Sequence, residues 1–390
     1  MLESIARRRP MALQSSFAMF TIFGRLSDPR MDRTKLHSLT DIVTIALCAA
    51  IAGCDTWVEV EEFGRRKEWW FRRFLALPHG VPSHDTFGRV FAALDTGEFL
   101  NCLQEWLRAL HVATKGEIVA IDGKTLTGSF DKASGKSALH LVVAWATQQR
   151  LVLGQAAAER KSNEITAIPK LLEMLDLMGA IVTMDAMGRR KELARKIQER
   201  GADYVLALKD NHPKLSEAVQ DAFWKRTTTQ GVTGKDVRRL VTRERRRGRL
   251  ETREHYIIPA PKRLPGREQW KGLRSLGMVI RRREVDGEES GEVHYYLLSM
   301  APKVRQFAKA VRSHWSIENN LNWSLDVTFS EDASRIRKGN AAETTGLLRR
   351  LALSILEQDT SMKASLRVKR KAAGWDEAVL ERFLTGFAED

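Results

Sequence analysis

Hydrophobic positions change their period twice along this chain. From His37 to about Val112 they recur at helical spacing. Ser38 is placed to cap a helix whose Leu39, Ile42, Val43, Ala46 and Leu47 share one face. A second helix is expected from near Thr56 through Val60, Phe63 and Gly64. A third should cover residues 67–77, with Trp70, Phe71 and Phe74 inward. After a turn at 78–82, Ser83 caps a fourth helix through Phe91, and a fifth covers 99–112. Residues 33–113 therefore read as an all-helical unit, preceded by a basic, loosely structured lead-in at 1–32. The 83–91 segment, with Arg89 and a polar first turn outward, fits either a helix laid in a DNA groove or an ordinary capped helix in a bundle.

At Glu117 the period shortens. Ile118, Val119, Ala120 and Ile121 form a continuous apolar run that reads as a buried strand ending on Asp122, with Gly123 as the turn. Further strands are expected at 139–146 and 151–156, then a helix over 163–177 that contains Pro169. A fourth strand at 180–184 ends on Asp185. An amphipathic helix over 189–200 stops at Gly201, and a fifth strand covers 203–209. The order β-β-β-α-β-α-β is that of a ribonuclease-H-like α/β fold, a mixed sheet flanked by helices. Residues 114–212 are thus the first part of a core on this fold.

Residues 213–300 leave that pattern. Alternating runs near 254–258, 276–281 and 293–300 predict an inserted β-rich basic subdomain, with eight arginines between 238 and 253. Over 301–390 the core resumes. Val304, Phe307, Ala308, Val311, Trp315 and Leu321 return to helical spacing, and Glu318 lies on this helix. A helix at 340–357, a basic tail at 363–371 and a short helix at 375–387 complete the chain.

Composition sharpens this. The chain of 390 residues carries a formal net charge of +15, with 43% hydrophobic and 29% charged residues, which suits a folded protein with polyanionic partners. Nucleic acid ranks first among these and an acidic membrane surface second. Cys48, Cys54 and Cys102 form no close pair, so neither a zinc ribbon nor a disulfide framework is expected, and a reducing cytoplasm fits. The apolar run over 42–52 is too short to cross a bilayer, and no secretory signal is read at the start.

A carboxylate ending a buried strand needs a reason, because an unpaired one is costly there. Asp122 could lie in water, pair with Lys124, or hold a metal ion. Parallel pairing of the first and fourth strands would set Asp185 beside it, and Glu318 could close such a site from a helix packed across the sheet. Hard divalent cations take oxygen ligands of this kind. Taken singly, the aspartates read equally well as strand-end turn residues and Glu318 as a surface residue. Lys124, Arg189, Arg190, Arg312 and Arg335 are candidates to hold phosphates. Arg243, Arg245, Arg246, Arg247 and Arg249 are candidates for a DNA clamp. Each reads alternatively as a solvated charge. Trp315 and Trp323 could stack on an unpaired base or pack in the core.

The motifs go further. Asp122-Gly123-Lys124-Thr125, the run Thr183 to Glu192, the run Gly201 to Asn211, and His314-Trp315-Ser316-Ile317-Glu318-Asn319 with its continuation to Arg337 resemble the DDE-type insertion-sequence transposases. They most resemble the H-repeat-associated family. Ile45 to Cys48, Glu61 to Gly64 and Pro82 to Thr86 resemble the helical domain that accompanies it. The resemblance implies Asp122, Asp185 and Glu318 as catalytic acids and ligands of two Mg²⁺ ions, with Mn²⁺ as a substitute. It implies double-stranded DNA as partner, cleavage at element ends with strand transfer, and a homodimer or higher assembly on DNA. Where the wider superfamily often carries Tyr, Arg and Lys around the glutamate, this chain has Val311, His314 and Leu325. The alternative is a transposase-derived DNA-binding protein without catalysis.

Overall fold

A computed structural model describes residues 21–109, 115–131, 135–158, 164–185, 190–208, 212–228, 236–246 and 249–386. The accessory helices come first. Helix α1 (Leu39–Ile51) starts where the Ser38 side chain accepts from Asp41 N–H, and it is buried along almost its whole length. Helix α2 (Trp57–Arg66) opens on a capping box between Thr56 and Glu59. The third helix is shorter than its periodicity predicts. It ends as α3 (Glu68–Phe71), and the chain then turns so that the buried Leu77 takes a φ of 42°. Helices α4 (His84–Ala93) and α5 (Thr96–Ala109) follow. Phe87, Val90 and Phe91 of α4 are buried, so this helix is a packing element whose exposed side carries Arg89.

The described part of the lead-in is not loose. Ile22, Phe23 and Leu26 are buried, and Phe23 packs on Phe99 with ring centroids 5.9 Å apart. Ser27 ties its N–H and hydroxyl to Glu98.

The core is one mixed sheet. Its strands are β1 (Ile118–Leu126), β2 (Leu139–Ala146) and β3 (Leu151–Ala158). Helix α6 (Glu164–Met174) leads to β4 (Ile181–Met184), and α7 (Arg190–Glu199) to β5 (Asp203–Leu208). Helix α8 (Pro213–Thr228) precedes β6 (Arg238–Arg246), β7 (Arg249–Pro259), β8 (Ser275–Val285) and β9 (Glu288–Leu298). The spatial order is β3-β2-β1-β4-β5-β9-β8-β7-β6. Strands β1, β4 and β5 are parallel neighbours; the remaining pairings are antiparallel. The ribonuclease-H-like α/β class is therefore realised. The predicted β-rich insert is present and continues the core sheet. Strand β9 pairs with β5, Val205 opposite Leu298, so the arginine-rich strands lengthen the core sheet.

Both faces of the sheet are covered. Helix α9 (Val304–His314) lies across one face, where Ile118, Ile181, Val205, Ile257, Val279 and Leu298 meet Phe307, Ala310 and Val311. A π-helical turn (Ile317–Asn322) and α10 (Trp323–Val327) continue it. The opposite face packs on α6 and α7 and on the long, largely buried α11 (Ala341–Gln358), which also contacts α1, α4 and α5. The tail read as merely basic forms a further helix, α12 (Leu366–Trp375), before α13 (Glu377–Thr385). Two of its cations are buried. Lys369 donates to the carbonyls of Leu356 and Asp359 at 2.9 and 2.6 Å, and Arg370 reaches Asp55 at 2.9 Å.

Candidate active site

Strand β1 does not end on Asp122. It runs on to Leu126, pairing with β2, while its parallel partner β4 stops at Met184 opposite Ile121. The next residues along are Asp122, still in β1, and Asp185, just past the end of β4, so continuing the register sets them at the same level. Side chains alternate along a strand. Ile118 and Ile181 face α9, so Asp122 and Asp185 face the same side. The Thr183 hydroxyl, which shares that face, lies 3.0 Å from Nδ1 of His314 at the end of α9. Among the described residues no strand covers this edge of β1 beyond Met184, and Asp122 is only half-buried there.

Glu318 comes to this edge on the π-helical turn, which packs against β1 and leaves the glutamate exposed. A π-helical turn widens the helix by one residue and often marks a functional position. Asp122 registers the company. Burial pushes its carboxyl up to about 6 against the lowering by a backbone hydrogen bond from Gly123, and the charges of Glu318, Glu164 and Asp185 add to the rise. Among the described residues, no three acidic, His or Cys side chains already stand at coordinating distance. The donor set nevertheless fits a hard divalent cation: it is all carboxylate oxygen, and its mutual repulsion is the cost that a bound cation removes.

The candidate cations fare differently. Lys124 is almost fully buried and serves acids rather than phosphate. It pairs with Asp326, with Glu331 at 3.2 Å and with Asp332 at 4.0 Å. Pairing between Asp122 and Lys124 does not occur, because that ammonium is taken. Glu331 also meets Arg350 of α11 at 2.6 Å, both side chains fully buried. Arg312 pairs with Glu244 of β6 at 2.6 Å. Arg243, Arg245 and Arg249 are exposed at the β6–β7 hairpin on the edge of the sheet. Arg335 is exposed and lines a cleft of about 600 Å³ with Trp57, Lys136, Arg337 and Lys338, between the accessory helices and the core. Arg190 opens α7 and Arg246 closes β6. Arg189 and Arg247 lie outside the described residues. Trp315 and Trp323 flank Glu318, and both are exposed, at 46% and 58%, so neither is a core residue. The Arg281 guanidinium stands over the Trp315 ring, 5.6 Å from its centroid.

Two residues near Asp122 escape a reading by period and motif. His140 is buried within the apolar strand β2, and Nε2 of its ring lies 2.5 Å from Glu164. A buried histidine in such a run signals that a partner must exist. Nothing in the sequence says which.

Comparison with known families follows the same lines. The profile of the family described as Transposase DDE domain matches residues 113–355, and that of the DDE_Tnp_1-associated family matches residues 20–107. The Putative transposase YncI of Escherichia coli O157:H7 is 38% identical over 97% of this chain and 96% of its own length. The H repeat-associated putative transposase YhhI of Escherichia coli strain K12 is 38% identical over 90% of this chain and 93% of its own. The Putative protein YbfL of the same strain is 37% identical over 90% and 93%.

Proposed function

The chain belongs to the DDE transposases, in the H-repeat family, and we propose that it cuts DNA at the ends of an insertion sequence and joins the freed ends to target DNA. In the first step a water oxygen attacks phosphorus and the 3′ oxygen leaves as a hydroxyl. In the second, that 3′-OH attacks a target phosphodiester, forming a new bond to its 5′ phosphate and releasing a target 3′-OH. Asp122 and Asp185 are shared metal ligands in this reading and Glu318 completes the set. Bound there, two divalent ions, Mg²⁺ or Mn²⁺, would activate the attacking oxygen and neutralise charge on the phosphate. The protein's own part is to hold the acids at one edge of the strand and to keep the neighbouring Lys124 ammonium engaged with Asp326 and Glu331 instead of with them.

The observation that carries the reading is the register of β1 and β4 beneath the turn bearing Glu318. DNA is the substrate in this proposal, with the helices of 33–113 as an accessory DNA-binding unit and the β6–β7 arginines as a clamp on the backbone. Concerted cutting of two ends calls for at least a dimer on DNA. Localisation in the cytoplasm, beside the chromosome, follows from that role; among the described residues no helix is long and apolar enough to cross a membrane.

The test uses the full chain, Mg²⁺ and DNA carrying the element's ends. The wild type is expected to nick and to give strand-transfer products. Asp122→Asn should bind the same DNA and fail to nick it. Nicking by that variant at the wild-type rate removes the catalytic assignment. Binding without nicking by the wild type favours a non-catalytic DNA-binding protein.

A further inference from the structure

The acid edge of β1 has a second approach, from the face opposite α9. Gly123 points its missing side chain to that face, and a Cβ there would collide with the Glu164 carboxylate and the His140 ring. Glycine at this position therefore lets a carboxylate lie directly against the strand next to Asp122. Glu164 is the first residue of α6 and is itself largely buried. It is fixed by a chain of contacts. Thr125 and His140 face each other across the β1–β2 ladder, with the Thr125 hydroxyl 2.8 Å from Nδ1 of the ring. The pairing suits the tautomer in which Nε2–H donates to a Glu164 oxygen and Nδ1 accepts from the threonine hydroxyl. Carboxylates that bind metal ions are themselves held by hydrogen bonds from outer residues, and His140, oriented by Thr125, is placed to hold Glu164 in this way.

From this placement we infer that Glu164 is a fourth carboxylate of the metal-binding set, held in position by His140 and Thr125 across the backbone of Gly123. The inference rests on the metal-dependent reading above. That reading treats the acids on the α9 face only; Glu164 reaches the same level of β1 from the other face of the sheet, over the β1–β2 pair, against Gly123 and His140. Among the charges acting on Asp122, that of Glu164 ranks after Glu318 and ahead of Asp185. The competing role for Glu164 is purely structural, as the counter-charge of a buried histidine.

Mn²⁺ binding to the full chain without DNA, followed by calorimetry, separates these. Glu164→Gln keeps an acceptor for Nε2–H and should leave the thermal midpoint in EDTA within a few degrees of wild type, yet weaken Mn²⁺ affinity at least tenfold. Glu164→Gln with wild-type Mn²⁺ affinity, beside an Asp122→Asn variant that has lost it, overturns the inference and leaves the proposed function standing. A wild type that takes up no Mn²⁺ overturns the metal-dependent reading itself. Should Glu164→Gln fail to fold, Fe²⁺-directed backbone cleavage of the wild type, mapped by mass spectrometry, decides. Fragments ending near 164 as well as near 122, 185 and 318 support the inference; cleavage at those three places with none near 164 overturns it.

Discussion

Asp122 and Glu331 are both carboxylates near β1, and their environments drive them in opposite directions. Burial and neighbouring acids hold the Asp122 carboxyl up at about 6. In the unfolded chain it titrates near the ordinary aspartate value of about 3.9. Between those two values the folded state keeps a proton that the unfolded state has lost. Stability from this group is therefore full below about pH 4 and is lost as pH rises through 6. At about 1.4 kcal/mol per pKa unit, the loss is on the order of 3 kcal/mol. Glu331 works the other way: burial alone would raise it, but Arg350, Lys124 and Arg349 win and hold it below the usual range. Its contribution is present above the ordinary glutamate value and lost on acidification. Thermal melts in EDTA should then show Asp122→Asn more stable than wild type at pH 8 and indistinguishable from it near pH 4. Added Mg²⁺ should stabilise the wild type more at pH 8 than at pH 5. Equal melts for variant and wild type at pH 8 would mean that neither burial nor the neighbouring acids penalise the Asp122 carboxylate there. Asp122 was visible in the sequence because it interrupts an apolar run. Glu164 was not, because an acid in the first turn of a helix already has an ordinary electrostatic reason to be there.

At the scale of elements, buried ion pairs fix how the helix carrying Glu318 meets β1. Lys124 leaves β1 on the same face as Asp122 and binds Asp326 of α10 and Glu331 beyond it; Glu331 in turn binds Arg350 of α11. Breaking a buried pair from one side leaves an uncompensated charge and costs about 3–5 kcal/mol. Glu331→Gln should lower stability by about that much in urea unfolding. It should also weaken Mn²⁺ binding if the same bridge aligns Glu318 with the aspartates; unchanged unfolding would remove the clamp from the account. Periodicity gave the strands of the core and most helices, since each buries one face. It failed where polar groups do the packing. Lys369 and Arg370 looked like a solvated basic tail, yet they satisfy carbonyls and an acid inside the fold. It stops short at the strands after 236, because local alternation predicts a strand and says nothing of its neighbour. Only the pairing of β9 with β5 makes them part of the core sheet.

The whole molecule presents its charge unevenly. With a net +15, some of its cations are spent internally: Lys124, Arg350, Lys369 and Arg370 are buried; at the surface Arg312 is matched by Glu244. The exposed hairpin arginines and the cleft at Arg335 and Lys338 are where DNA phosphates would find positive charge facing solvent. Each phosphate neutralised on duplex DNA steepens the dependence of log affinity on log salt by about 0.9. Replacing Arg243, Arg245 and Arg249 together by glutamine should therefore flatten that slope by about 2–3 and leave thermal stability nearly unchanged, because these side chains are exposed. Arg312→Gln should barely move the slope, since removing it frees Glu244 rather than a phosphate contact. Fluorescence anisotropy of a labelled duplex across a salt series reads both. A triple variant with the wild-type slope would take the hairpin off the DNA path and shift attention to the cleft between the accessory helices and the core. There Arg335→Gln and Lys338→Gln would be expected to carry the loss instead.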